Sequence, residues 1–135
     1  MTGPRPSTLS LAMQSYEELI AWQKGMTLVA EVYRVSNTGA LKRDWGLRNQ
    51  LSRSSVSVPS NIAEGYERGG RKEFARGLTF AKGSCGEVRT QLLVAVRVGL
   101  LPPEEAAPVI ALATETSRIL AALRAAVWRQ VDRPQ

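Results

Sequence analysis

Histidine is missing from all 135 residues of the chain, and cysteine occurs once, at Cys85. A single thiol forms no internal disulfide, which favours a reducing compartment, and we predict a cytoplasmic protein. The absence of histidine removes the commonest general base and the commonest metal ligand together. Cys85 lies among apolar residues at helical spacing, where a small buried hydrophobe is the expected role and a nucleophile is the minor alternative. We therefore expect no metal, no cofactor and no enzymatic activity.

Long apolar runs are also missing, because no stretch approaches the roughly 18 consecutive apolar residues that a membrane-spanning helix needs. We predict no membrane association. Residues 1–14 contain Pro4 and Pro6 and lack the apolar core of a secretory signal, so a disordered tail is expected there. A chain of this length forms one domain by default. We place that domain at residues 15–130 and a disordered C-terminus at residues 131–135.

Apolar residues recur at helical spacing in four segments. Ser15 and Glu18 form a capping-box pattern that opens the first helix, at about residues 16–36. Further helices are predicted to begin near Lys42 or Trp45, to span about residues 71–98, and to follow a pair of prolines at residues 102–103. Pro59 interrupts the second helix and predicts a kink or a joint. The predicted core stripe of the first helix consists of Leu19, Trp22, Met26, Val29, Ala30 and Tyr33.

Four amphipathic helices with short connections predict an all-α protein, an up-down-up-down four-helix bundle. The first helix carries a second apolar set, Ile20, Leu28 and Val35, and the fourth helix carries several alanines. These surfaces favour self-association into a homo-oligomer, although a wide core face explains them equally well.

The net charge of +6 is concentrated in the middle of the chain. Residues 42–97 hold eleven lysines and arginines against five acids, whereas each flank is balanced. On the third helix the cations occupy an arc separate from the apolar arc, which predicts a positive surface for the phosphates of nucleic acid. Gly69 and Gly70 offer backbone amides to a phosphate, although a plain turn is the commoner explanation. The predicted phosphate-contacting residues are Arg68, Arg71, Lys72, Arg76, Lys82, Arg89 and Arg97.

Polar residues form a ridge beside the apolar stripe on both the second and the third helix. We predict that the ridges face each other as a half-buried polar seam that fixes helix register, with Asn61 opposite Ala75 and Arg76. An enzymatic alternative makes Glu64 and Glu87 an acid–base or metal pair, but carboxylate-bridged bundles also use histidine, which this chain lacks. The members of the predicted seam are Ser57, Asn61, Glu64, Ser84, Glu87 and Gln91.

Three segments resemble the four-helix-bundle protein family encoded in intervening sequences of bacterial 23S rRNA genes. They are Tyr16–Lys24, Ser57–Tyr66, and Ala81–Leu92, the last through its Ala-Lys-Gly-Ser start and its Glu87, Thr90 and Gln91. The most specific is the Asn-Ile-Ala-Glu-Gly run at residues 61–65, and the resemblance covers about residues 15–127. It implies a small basic bundle without established enzymatic activity, in several members a homopentameric ring. The fold is also similar to the accessory variability protein of diversity-generating retroelements, which binds nucleic acid and a reverse transcriptase through a positively charged pentamer.

Two functions are consistent with these observations. The leading hypothesis is a non-enzymatic, pentameric bundle that binds nucleic acid through the cations of the third helix, with RNA favoured by the family's genomic setting. The alternative is a protein-interaction or assembly module, such as a reverse-transcriptase accessory protein of a diversity-generating retroelement. Only Trp45, Tyr66 and Trp128 lie outside the predicted core as aromatic residues for stacking, so we expect little base-specific readout.

Overall fold

The computed structural model describes the backbone of residues 15–131 and the side chains as far as Arg129. These residues form four α-helices and two short 3-10 turns, and no strand occurs among them. The predicted tails lie outside this range, apart from Val131, which ends the fourth helix. In chain order the elements are a 3-10 turn at Tyr16–Glu18, α1 at Ile20–Ser36, a 3-10 turn at Leu41–Arg43, α2 at Trp45–Glu67, α3 at Arg71–Arg97 and α4 at Pro103–Val131.

The helices pack as a four-helix bundle around one core. α2 packs on α1 and α3, and α4 packs on α3 and returns to contact α1. Short connections make successive helices antiparallel. The tightest connection joins α2 to α3, where Gly69 and Gly70 adopt φ values of +77° and +89°, a backbone region that favours glycine. The all-α four-helix architecture expected from the periodicity is therefore confirmed.

The first helix begins later than its capping pattern predicts. Ser15 caps the 3-10 turn, where its Oγ accepts a hydrogen bond of 3.1 Å from the backbone N–H of Glu17. The chain is then extended at Leu19, whose side chain is buried, and α1 begins at Ile20. The Ser15 cap therefore initiates only the 3-10 turn. Burial of the Leu19 side chain in the core accounts for the extended residue between this turn and α1.

The core stripe predicted for α1 is confirmed at Leu19, which is buried, and at Trp22, which packs against the core, but it is wrong further along the helix. Met26 and Tyr33, which belong to the predicted stripe, are 45% and 44% exposed. Leu28 and Val35, predicted as a possible self-association surface, are instead in the core. Both sets recur at helical spacing, so periodicity cannot distinguish them. The buried residues of α1 are Ala21, Gly25, Leu28, Val32, Val35 and Ser36.

Small residues in α1 explain why this set faces inward. An ideal Cβ at Gly25 would lie 3.1 Å from Val58 Cγ1 and 3.5 Å from Pro59 Cδ, so α1 and α2 approach closely at this point. The α2 helix continues through Pro59 from Trp45 to Glu67. Proline removes the hydrogen bond to the Ser55 carbonyl, and its buried ring packs beside Gly25 instead. Pro59 therefore contributes to the α1–α2 contact and does not divide α2 into two helices.

Aromatic rings connect the N-terminal 3-10 turn to the end of the bundle where α2 turns into α3. The Tyr16 ring makes edge-to-face contacts with Trp22 and Tyr66, at centroid distances of 5.6 and 6.2 Å. Tyr66 makes a third contact of this kind, at 5.7 Å, with Phe74 of α3. Each such pair contributes about 0.5–1.5 kcal/mol beyond the burial of its area. The rings thus fix the α2–α3 end of the bundle.

α4 combines length with an apolar composition. Its segment Pro103–Arg129 is long and apolar enough to cross a membrane by length and composition, and an 18-residue window within it has a mean hydropathy of 1.3. No such segment is expected from the apolar runs of the sequence. In the structure Val109 and Leu120 are fully buried in the core, and Glu115 forms an ion pair of 2.9 Å with Lys24 of α1. The helix therefore forms one wall of the bundle.

Candidate nucleic-acid interface

The cations predicted to contact phosphate lie along one side of α3, with Arg68 at the C-cap of α2. Arg71 and Lys82 are half-buried, and the other members are exposed. The opposite side of α3 is buried and includes Phe74, Leu78 and Leu92. Because α3 contains 27 residues, the cations are distributed over about 40 Å of helix.

Carboxylates neutralise few of these cations within the chain. Arg68 Nε lies 3.9 Å from Glu64 Oε1, and both side chains are largely exposed. An exposed pair of this kind contributes at most about 1 kcal/mol. The cations that form no ion pair with any carboxylate among the described side chains, residues 15–129, are Lys72, Arg76, Lys82, Arg89 and Arg97. Most of the positive charge of α3 is therefore available to a ligand.

The cations of α3 do not form a single row. Lys82 and Arg89 lie about three and five turns beyond Arg71, in a row on the edge of α3 that borders α4. Arg76 borders the α2–α3 groove, and Lys72 lies on the exposed outward face between these two edges. The sequence pattern predicts one stripe for the whole set. The structure shows instead a positive surface that extends from the α2–α3 groove across α3 to α4.

α4 adds a cation that the sequence analysis missed. The Arg124 guanidinium lies beside α3, with Nη1 3.5 Å from Thr79 Oγ1. Thr79 is one turn before Lys82, so Arg124 extends the row that borders α4. The charge count places Arg124 in a balanced C-terminal segment. Only the packing of α4 on α3 brings it to the positive surface.

α2 and α3 cross at two glycines without side chains between them. An ideal Cβ on Gly77 would lie 2.5 Å from the Asn61 carbonyl oxygen and 2.9 Å from Gly65 Cα. A Cβ on Gly65 would lie 2.9 Å from the Glu73 carbonyl oxygen. These distances leave no room for a methyl group, because backbone atoms on the facing helix cannot rotate away. Asn61 lies opposite Gly77, one residue beyond the Arg76 predicted from the antiparallel register.

A cleft of about 190 Å³ opens outside this crossing. Bare backbone at Gly65 and Gly77 forms part of its lining, and Phe80 forms an apolar wall. Charged side chains of both signs complete the lining. The residues around the cleft are Glu64, Gly65, Arg68, Glu73, Arg76, Gly77 and Phe80.

Phe80 was not predicted as an exposed aromatic residue, yet 52% of its surface is accessible. The guanidinium carbon of Arg76 lies 5.6 Å from the centroid of its ring, within the range of a cation–π interaction. Phe80 follows Arg76 by one turn. On a helical wheel it therefore lies at the border of the basic arc. The positive surface therefore includes an aromatic ring.

Both predicted polar ridges border the α2–α3 groove, but their hydrogen bonds are made within each helix. The Ser57 hydroxyl donates to the Arg53 carbonyl at 2.9 Å, and Asn61 Nδ2 donates to the Ser57 carbonyl at 2.8 Å. The Ser84 hydroxyl donates to the Phe80 carbonyl at 3.2 Å. These bonds satisfy the side chains without joining α2 to α3.

The carboxylates of the predicted seam are not half-buried. Glu64 and Glu87 are exposed, and the side chain of Glu64 is 64% accessible. Gln91 is half-buried, and its Oε1 has no hydrogen-bond partner among the described residues. Close contact of Gly65 with Gly77 sets the register at this crossing, so an interlocking set of polar side chains is not needed there.

Neither Cys85 nor the acidic side chains form a reactive or metal-binding site among the described residues. Burial raises the pKa of the Cys85 thiol to about 12, against a smaller lowering by the charge of Lys82. The thiol is therefore protonated at neutral pH, as expected for a small buried hydrophobe. Within the described part of the chain, no three acidic or cysteine side chains are grouped so that they could hold a metal ion.

An all-helical bundle, a row of unneutralised cations and an aromatic ring beside them define a small basic four-helix-bundle protein. The chain belongs to the family described as 23S rRNA-intervening sequence protein, which matches residues 17–122. This confirms the resemblance inferred from the Tyr16–Lys24, Ser57–Tyr66 and Ala81–Leu92 segments.

A solved structure supports the fold independently. The crystal structure of a protein with unknown function from the S23 ribosomal protein family of Bacteroides thetaiotaomicron superposes with a TM-score of 0.70. The two chains are 18% identical, and the match covers 77% of this chain and 97% of that one. At this identity the likeness establishes the fold alone. No curated protein matches the sequence significantly.

Proposed function

We propose that the protein is a non-enzymatic, cytoplasmic nucleic-acid-binding bundle that contacts phosphates through the α3 cations, Arg68 and Arg124. The observation that supports this most directly is that Lys72, Arg76, Arg89 and Arg97 are exposed and form no ion pair with a carboxylate of residues 15–129. Contacts to phosphate carry little sequence information and supply affinity by releasing counterions. RNA is the polyanion we favour, because the family is described by its association with 23S rRNA-intervening sequences.

The bundle acts as a homo-oligomer in this proposal, a pentamer as the family resemblance implies. Exposed apolar side chains on α1 and α2 support self-association. They include Met26, Tyr33, Trp45 and Val56, and the most exposed of them, Trp45, is 73% accessible. Clusters of exposed apolar side chains mark interaction surfaces. Ring symmetry would repeat the α3 cations around the assembly and increase the local positive field.

The same exposed apolar side chains favour the second candidate, a protein-interaction or assembly module. In that case another protein, for example a reverse transcriptase, covers the face formed by α1 and α2. The α3 cations then serve solubility or dock an acidic partner. The two candidates differ in whether the α3 surface binds polyanions.

Paired charge reversals test the α3 surface. Lys72→Glu with Arg76→Glu should lower the affinity for a labelled 20-nucleotide RNA about tenfold or more, because two phosphate contacts become repulsive. Lys42→Glu with Arg43→Glu is the matched control, since these exposed residues lie at the opposite end of the bundle and change the net charge equally. Equal losses for the two double variants would contradict a localised site.

A salt titration of the unmodified chain distinguishes the two candidates. If several phosphates are neutralised, the association constant should fall by about 10³ or more between roughly 50 and 200 mM salt. A chain that binds no RNA at low salt, but still forms a complex of defined mass, would refute the nucleic-acid function and favour the assembly module. The solution mass and the absorbance ratio of the purified protein report the subunit number and co-purifying RNA together.

A further inference from the structure

Phe80 is an apolar ring on the one face of α3 where polar residues would be expected. Half of its surface is accessible, at 52%, so the core does not need it. Its recorded aromatic contact is with Arg76, 5.6 Å from the ring centroid. The exposed ring lies beside cations that form no ion pair with the described carboxylates. Aromatic rings placed along a positive surface are the usual stacking platforms for unpaired bases.

The cleft beside Phe80 has the form that a flat ring needs. Gly65 and Gly77 contribute only backbone to its lining, because their crossing excludes side chains. A planar group can therefore lie against the wall formed by Phe80 while one edge points to solvent. Arg68 and Arg76 border the same cleft, and both side chains are long enough to reach the phosphates on either side of an inserted base.

We propose that this cleft binds one unpaired nucleobase of a single-stranded nucleic acid, stacked on Phe80, with the flanking phosphates on Arg68 and Arg76. The inference rests on the proposed nucleic-acid function and specifies the form of the ligand. On binding, the base takes the place of the Arg76 guanidinium over the ring, and the exposed Arg76 side chain turns to a phosphate. A base inside a duplex cannot make this contact, since its faces are covered by its neighbours.

The two carboxylates of the cleft determine which bases fit. Glu64 and Glu73 accept hydrogen bonds and cannot donate them when ionised. The 3.9 Å separation of Arg68 from Glu64 is too long for a strong hydrogen bond, so the Glu64 carboxylate retains acceptor capacity. Adenine, cytosine and guanine each present an exocyclic amino group with two N–H donors, whereas uracil and thymine present a single ring N3–H flanked by two carbonyl oxygens that a carboxylate repels. The cleft therefore prefers bases that carry an amino group.

Binding of labelled 12-nucleotide probes to the full chain, followed by fluorescence anisotropy, tests this site. The probes are oligoadenylate, oligocytidylate, oligouridylate, the corresponding DNA strands and a mixed-sequence duplex. Phe80→Ala should weaken binding to single strands about five- to hundredfold and change duplex binding less than about twofold. Phe80→Trp should restore single-strand binding, because a larger ring still stacks. Oligoadenylate and oligocytidylate should bind more tightly than oligouridylate, in both RNA and DNA forms.

Val94→Ala is the matched control. Val94 is 43% exposed on the same helix and lies about 20 Å from Phe80 along the axis. It should bind every probe as the unmodified chain does. Thermal unfolding and solution mass are measured for each variant. If Phe80→Ala changes the solution mass, Phe80 is a subunit contact and the proposal is overturned.

The remaining outcomes separate this proposal from the function on which it rests. If Phe80→Ala binds single strands normally while the Lys72/Arg76 reversal weakens them, phosphate binding holds and the base site is wrong. If the unmodified chain binds no probe at low salt, the nucleic-acid function itself fails. Equal affinity for oligouridylate and oligoadenylate would refute the role assigned to Glu64 and Glu73.

Discussion

The crossing of α2 over α3 provides the sharpest test of the packing, through the substitution Gly77→Ala. The added Cβ would lie 2.5 Å from the Asn61 carbonyl oxygen, 2.9 Å from Gly65 Cα and 3.2 Å from Gly65 N. All three are backbone atoms, so no side-chain rotation relieves the clash. Since ordinary contacts of a Cβ begin near 3.4 Å, the helices must separate by roughly 1 Å at this point. Core neighbours along both helices then lose contact.

The expected magnitude is the difference between two opposing effects. Overpacking in a rigid environment costs about 1–3 kcal/mol, and contact with backbone places this site at the upper end. Replacing glycine by alanine inside a helix returns up to about 1 kcal/mol. The net loss is about 2 kcal/mol, which lowers Tm by about 7 °C in a chain of this length.

Gly83→Ala in the same helix is the control, because nothing lies within 4 Å of an ideal Cβ there. Only the helix-propensity effect remains, so Tm should rise by about 2–3 °C. Thermal unfolding followed by circular dichroism, at matched protein concentration, measures both variants. An unchanged or higher Tm for Gly77→Ala would show that α2 and α3 do not approach as closely as described. A lower Tm for Gly83→Ala would show that another chain covers this part of α3.

The remaining predictions concern burial. Burial raises the pKa of Cys85 to about 12 from an ordinary value near 9. Its thiol in the native protein should therefore react with an alkylating reagent at pH 8 about 10³-fold more slowly than the thiol in denaturant. Equal rates would contradict its burial. Leu28→Ala should lower the free energy of unfolding by about 2–5 kcal/mol, more than Met26→Ala does; the reverse order in urea titrations would restore the core stripe that periodicity predicts. Asn61→Ala should lower the free energy of unfolding by about 1 kcal/mol through its lost hydrogen bond. Glu64→Ala, at an exposed position, should change it by less than about 0.5 kcal/mol. A large loss of stability for Glu64→Ala would support the polar seam predicted from the sequence.

The motif at residues 61–65 that identifies the family acquires a physical role from these contacts. The Asn61 carbonyl and the Gly65 backbone form the surface on which Gly77 rests. Tyr66, directly after the motif, stacks edge-to-face with Tyr16 and Phe74. A larger residue at Gly65 would separate the two helices and close the cleft next to Phe80. Packing therefore explains the glycine of the motif, and this close approach positions the candidate base site as a consequence.

Several features could be predicted because they depend on one helix at a time. In α2 the apolar residues Leu51, Val58 and Ile62 recur at helical spacing, and all three are fully buried. In α3 this spacing separates the cations from the core, since a helix with 3.6 residues per turn keeps residues of similar spacing on one side. Periodicity does not identify the buried face of α1, because α1 has two apolar sets and both recur at helical spacing.

The number of helices and the segregation of charge on α3 are properties of the amino-acid sequence itself, since they arise from local spacing and composition. The tertiary structure alone decided which apolar set of α1 faces inward, that Arg124 joins the positive surface, and that Phe80 borders a cleft with Arg68. Each of these depends on which helix lies alongside which and at what register. Spacing along one helix does not specify which residues of another helix it will contact. Those contacts are fixed only when the two helices pack together, as they do at Gly65 and Gly77.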